Sequence, residues 1–168
     1  MTGGQSGVRK RESNKIVKKV WIKASPKVIF SALTEPKELV HWFCDRATCD
    51  LREGGELAAH WREAGQKGRA RITRIADGSH LELLWIDDGR GIQENSAHQT
   101  RYEIHTMAGM TELVMTDIDE PVPDEQAFAA LDQGWNSVLM DLKEYCERRE
   151  RSAKIRPRSK SGARSAAE

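Results

Sequence analysis

Between Trp42 and Ile118 the apolar residues recur at every second position, and from Phe128 onward they recur at every third or fourth. No other feature constrains the chain as much as this switch. Period two belongs to strands with one buried face, and a period near 3.6 belongs to an amphipathic helix. Consecutive strands with short turns make an antiparallel sheet, and an apolar sheet face must be covered. The stripe Phe128, Leu131, Trp135, Val138, Leu139 and Leu142, continued by Tyr145 or Cys146, is the one element large enough to cover it. Its spacing predicts a helix of roughly 20 to 25 residues. Asp124 is its expected N-cap, after Pro121-Val122-Pro123.

The strands are punctuated by turn residues. Residues 15–23 read as a first strand, with Val20 and Ile22 on one face and Lys19 and Trp21 on the other. Ser25-Pro26 supplies an N-cap and a proline at the first helical position. The helix that follows places Val28 or Ile29 with Ala32 and Leu33, and Pro36 starts a second short helix through Leu39 and Val40. Strands are then expected over 42–50 and 56–62, separated by Glu53-Gly54-Gly55, with a turn from Gly65 to Gly68. Ala70 and Ile72 point inward in the next strand, Asp77-Gly78 makes a hairpin turn, and Leu81, Leu83 and Trp85 share a face. A polar loop is expected over 87–97. Thr100, Tyr102 and Ile104 form the next buried row, and Leu113 and Met115 follow the Ala108-Gly109 turn. The fold class is therefore α+β, a sheet of six to seven strands against one long C-terminal helix.

The charge distribution divides the chain. Residues 1–14 carry +2 and residues 150–168 carry +4, so the whole-chain charge of +1 leaves −5 on residues 15–149. The chain is read as a folded domain over 15–149 between two disordered ends, 1–14 and 150–168. An acidic domain argues against a nucleic-acid surface on it. The basic C-terminal end has no interleaved aromatics for stacking on bases, and is read as a solubilising tail. Three cysteines, Cys44, Cys49 and Cys146, are an odd set at irregular spacing and fit a reducing cytoplasm better than a disulfide framework. No apolar run is long enough for a membrane span, and the polar first residues predict no secretory signal.

Several stretches resemble one family. Ala24-Ser25-Pro26-Lys27-Val28-Ile29-Phe30-Ser31-Ala32-Leu33-Thr34-Glu35-Pro36 is similar to its opening motif. His41-Trp42-Phe43 stands at its aromatic pair, and Asp50-Leu51-Arg52-Glu53-Gly54-Gly55 at its glycine turn. Gly68-Arg69-Ala70 and Leu83-Leu84-Trp85 match the next strands, and Gly134-Trp135 through Leu139 and Leu142 match its helix. These pieces stand in order within a stretch from Ile16 to Cys146 that resembles the activator of Hsp90 ATPase homologue 1-like (AHSA1) family of the START-like (SRPBCC, Bet v 1-like) superfamily. The resemblance implies a helix-grip fold, a small bacterial cytoplasmic protein, and a cavity between sheet and helix. Leu57 and Ala59 replace bulkier aromatics of the family, implying a wider pocket there. The resemblance to the eukaryotic Hsp90 activator covers one domain only, so Hsp90 binding is not inferred.

The leading site is that cavity. Trp61, Trp85, Tyr102 and Met115 are expected to face it from the sheet, with Ala70 and Leu83 beside them and Ala59 leaving space. Gly134, Trp135 and Val138 are expected to face it from the helix. Apolar walls with few polar groups suit a small hydrophobic or amphipathic molecule, although aromatics at this spacing also serve as plain core. Gly134 costs a helix about 1 kcal/mol relative to alanine, a cost explained by close packing or by room for a ligand. Among Asp45, His60, Glu103, His105 and Asp117, only Asp117 is expected to face inward, beside Met115. It is the single candidate acid–base residue, and a hydrogen-bonded strand-end carboxylate is the simpler account of it. His41, Cys44, Cys49 and His60 have the residue types for zinc, but their spacing is wrong for it, and no metal or cofactor is expected. Three functions remain: a ligand-binding protein, a cyclase- or hydrolase-like enzyme using the same cavity, and a co-chaperone-like interaction module. Ligand identity and oligomeric state are left open.

Overall fold

Alternating apolar and charged side chains build seven strands in the computed structural model, which describes residues 15–87, 97–120 and 124–155. They are β1 (Lys15–Ile22), β2 (Arg46–Cys49), β3 (Glu56–Trp61), β4 (Gln66–Ala76), β5 (His80–Asp87), β6 (Ala97–Met107) and β7 (Met110–Glu120). All pairings are antiparallel and the order is β1-β7-β6-β5-β4-β3-β2. Register shifts at Arg69/Ala70 and Ile72/Arg74 interrupt the β4–β5 ladder. Such irregularities bend a strand and increase its twist, so the sheet curves and one face becomes concave.

Among the described residues three helices accompany the sheet: α1 (Pro26–Thr34), α2 (Pro36–Leu39) and α3 (Glu125–Ile155). Ser25 caps α1, its Oγ accepting from the Val28 N–H at 3.4 Å. Glu35 leaves helical geometry ahead of Pro36, which occupies the first turn of α2. Asp124 caps α3, its Oδ1 accepting from the Ala127 N–H at 2.8 Å. The core brings Ile22, Ile72, Leu81, Leu113 and Met115 of the sheet against Ile29 and Leu33 of α1 and Leu139, Leu142 and Cys146 of α3. This is the helix-grip arrangement. Among the described residues no helix is long and apolar enough to cross a membrane.

Three sequence expectations need correction. The strand expected over 42–50 is shorter. The N–H groups of Phe43 and Cys44 bond back to the Leu39 carbonyl at 2.9 and 3.2 Å, prolonging α2 as a turn until β2 starts at Arg46. The turn ascribed to Gly65–Gly68 ends sooner, because Gly65 closes onto the Arg62 carbonyl and Gly68 already lies within β4. Finally, α3 runs for 31 residues and includes 150–155, which were expected to be disordered. Polar contacts sustain it where the apolar stripe ends. Glu150 Oε2 accepts from the Ser25 N–H at 3.0 Å, Ser152 Oγ donates to the Arg148 carbonyl, and Lys154 approaches Glu150 at 3.7 Å. The expected tail over 1–14, the centre of the polar loop (88–96), Pro121–Pro123 and 156–168 lie outside the described residues.

One buried charge locks α2 to α3. The Glu38 carboxylate, 5% exposed, receives two hydrogen bonds from Arg149 at 2.8 Å and one from the Tyr145 hydroxyl. Burial pushes the Glu38 carboxyl up, but the Arg149 and Tyr145 hydrogen bonds and the Arg149 charge outweigh it and hold it below the usual range. Burial and then the bond to Glu38 push the Tyr145 phenol up to about 12.

Candidate functional site

The long helix is buried along only half its length. Leu139, Leu142, Tyr145 and Cys146 are buried, whereas Phe128, Leu131, Trp135 and Val138 of the same stripe are only half-buried. A contiguous row of large apolar side chains left partly uncovered calls for an explanation, where a single exposed one does not. Here the N-terminal half of α3 touches the main core through Phe128, Leu131 and Trp135 without being fully covered by the sheet. A hollow of about 390 Å³ lies between them, within the range of about 300–1,000 Å³ usual for small-molecule sites. Gly134 faces this hollow, and a Cβ added there would meet nothing within 4 Å.

Aromatic rings form the opposite wall. Trp61 ends β3 and Trp85 lies near the end of β5, with Phe43 edge-on to Trp61 at 5.2 Å between centroids. Gly68 brings the two indoles in. A Cβ at that position would stand 3.0 Å from Trp85 Cζ3 and 3.1 Å from Trp61 Cζ3, so any larger residue would push them outward. Both indole N–H groups are satisfied by protein: Trp61 donates to the Phe43 carbonyl and Trp85 to Thr100 Oγ1 at 3.0 Å. These two rings therefore border the hollow as carbon surface.

The polar groups are concentrated at one point. Asp117 of β7 is 1% exposed and still lines the hollow. Its Oδ1 accepts from Thr100 Oγ1 at 2.7 Å and lies 2.8 Å from His98 Nε2. An ionised Asp117 requires His98 to donate from Nε2. The His98 ring stacks on Trp85 with centroids 5.8 Å apart. Trp85, Thr100, Asp117 and His98 thus form one connected network at the rim of an apolar space. Tyr102 lies one rung deeper, and its phenol is pushed up by burial and then by the Asp117 charge.

The sequence profile of the family described as activator of Hsp90 ATPase homolog 1-like protein matches residues 23–147. The chain belongs to this family. No curated protein matches it in sequence. Among solved structures it is similar to DynU16, a protein of the dynemicin biosynthetic locus, with TM-score 0.71, 19% identity and coverage of 82% of this chain and 49% of that one. The chain therefore spans about half the length of DynU16. CalU16 from Micromonospora echinospora is similar with TM-score 0.62 and 21% identity, over 82% of this chain and 79% of that one. The Aha1 dimer from Colwellia psychrerythraea gives TM-score 0.68 and 20% identity, over 79% and 96%. At these identities the likeness is one of fold.

Against that family fold, the expected site residues divide in two. Trp61, Trp85, Gly134, Trp135 and Val138 border the hollow, and so does Asp117. Ala70, Leu83, Tyr102 and Met115 do not. They are buried in the main core, further along the strands and packed with the deeply covered half of α3. Ala59 belongs to a separate small cluster with Leu39, Cys44 and Leu57. Phe43, His98, Ala130 and Leu131 also line the hollow and were not anticipated. His98 was legible, because the row Thr100, Tyr102, Ile104 extends backward by one period to it.

The remaining polar candidates lie elsewhere. Asp45 Oδ2 accepts from the Arg62 N–H at 2.6 Å, Glu103 lies opposite His80, and His105 is exposed. His60 lines a separate groove of about 560 Å³ beside β2. The four residues of the zinc set are not brought together: His41 stacks on Tyr145, and Cys44 turns to the Leu39 carbonyl. Burial pushes the Cys44 and Cys49 thiols up. Among the described residues no group of three or more ligating side chains could hold a metal.

Proposed function

We propose that the protein binds a small hydrophobic or amphipathic molecule between the concave sheet and the N-terminal half of α3. The observation that carries this reading is the half-buried row Leu131, Trp135 and Val138, which lines one hollow together with Trp61 and Trp85. A chain that needed only a core would gain about 25 cal/mol for each Å² of that apolar surface by closing the gap. Leaving it open is reasonable where a ligand supplies the missing contact. The likeness to DynU16, which comes from a biosynthetic locus, agrees with a small-molecule role.

The test is a blocking substitution. Gly134→Trp would place an indole in space that an added Cβ leaves empty. A panel of lipids, sterols and aromatic metabolites is titrated calorimetrically into both proteins. The parent is expected to bind at least one member saturably and Gly134→Trp to lose it. Unchanged binding in the variant would place the ligand elsewhere.

The contact between His98 and Asp117 favours one second reading, a cyclase- or hydrolase-like enzyme in which the pair transfers a proton. A positioned acid–base pair contributes typically 10²–10⁴-fold to rate. Asp117→Asn should then abolish turnover of a bound substrate by about that factor, and preserved turnover would remove the pair from the chemistry.

A further inference from the structure

We infer that the molecule held in this hollow is an organic cation, an aromatic or aliphatic amine whose protonated nitrogen is received by Asp117. The inference rests on the hollow being a ligand site and names the chemistry of its occupant. Asp117 is almost fully buried, and both of its hydrogen bonds, from Thr100 and His98, fall on Oδ1. Asp117 lines the hollow, and a carboxylate has about four acceptor sites, so these two bonds do not exhaust it. A buried carboxylate is costly unless it is paired or fully hydrogen-bonded. Among the described residues no lysine or arginine lines the hollow.

The walls favour the same charge. Trp61 and Trp85 spend their N–H groups on protein acceptors and offer ring carbon. Aromatic faces carry partial negative charge and attract cations, most strongly those of tryptophan. A carboxylate and indole rings lining one largely apolar hollow therefore select an ammonium group joined to an apolar body. They oppose a fatty acid, an acyl phosphate or any other anionic amphiphile. The net charge of −5 on residues 15–149 adds long-range attraction of the same sign.

The test uses three probes of one shape: 2-(2-naphthyl)ethylamine, 2-(2-naphthyl)ethanol and 2-naphthylacetate. Each is titrated near neutral pH into the isotope-labelled full chain, with the indole N–H signal of Trp85 as the reporter. The amine should bind at least about tenfold more tightly than the alcohol, and the acetate more weakly than both; a hydrogen bond to a charged group has about that value. In Asp117→Asn, which retains an acceptor for Thr100 and His98, the three affinities should converge. Acetate binding as tight as amine binding would overturn the inference, and so would an amine preference that survives Asp117→Asn. If Asp117→Asn does not fold, the ranking of the three probes on the parent chain decides alone. Binding of the alcohol with no preference for the amine would sink the cation and leave the pocket reading standing. Binding of none of the three would overturn both.

Discussion

Gly134→Ala should make this protein more stable, although Gly134 lies inside α3 and lines the hollow. Glycine in a helix interior is about 1 kcal/mol less favourable than alanine, because its backbone loses more freedom on folding. A tightly packed glycine would reverse the sign, since overpacking costs about 1–3 kcal/mol. Here the added Cβ meets no atom within 4 Å, so only the backbone contribution operates. The expected gain is about 0.8–1 kcal/mol. For a domain of this size that corresponds to a rise in Tm of about 3–5 °C. Urea and thermal unfolding followed by far-UV circular dichroism would measure it without relying on Trp135, the neighbouring fluorophore. A variant less stable than the parent would refute the reasoning. It would mean that α3 lies against the sheet at this level and that the hollow is closed.

Gly68→Ala should have the opposite sign, losing about 1–3 kcal/mol, because its methyl would meet Trp61 and Trp85 at 3.0–3.2 Å; the same unfolding curves read it. Trp85→Phe should cost about 1 kcal/mol through the lost bond to Thr100, seen as a lower urea midpoint with unchanged slope. Arg149→Met should cost about 2 kcal/mol at pH 7 by stranding the Glu38 carboxylate. Because the folded-state value of Glu38 is lowered, its contribution is complete above the ordinary carboxylate value of about 4.3 and is lost as pH falls through the lowered value. The difference between parent and Arg149→Met should accordingly narrow between pH 7 and pH 3.

Period-two alternation was enough to place six of the seven strands and the inward faces of Ile72, Leu81, Tyr102 and Leu113, because one buried face leaves a binary mark on a sequence. The same mark reports face and says nothing of depth along the strand. Ala70, Leu83, Tyr102 and Met115 therefore looked equivalent to Trp61 and Trp85, whereas the sheet places the first four in the core and the last two at its open end. What separates them is where the cover of α3 over the sheet becomes incomplete, a tertiary property with no local signature. The extra turns of α3 were hidden for a related reason. Residues 150–155 are held by Glu150, Ser152 and Lys154 rather than by an apolar stripe. The network around Asp117 was half legible, since the inward face of Asp117 followed from Met115, but its partners come from β6 and required the register Thr100↔Asp117.

The most direct test of the ligand pocket uses the five tryptophans as an internal map. Two-dimensional NMR of the labelled chain resolves their indole N–H signals while lipids, sterols, aromatic metabolites and naphthyl amines are added. Saturable shifts at Trp61, Trp85 and Trp135 are predicted. Trp21, exposed on β1, and Trp42, bonded to the Ala32 carbonyl at 2.9 Å, should stay unmoved. Shifts confined to Trp21 or Trp42, or a spectrum unmoved across the whole panel, would contradict the account and return the aromatic wall to the status of core.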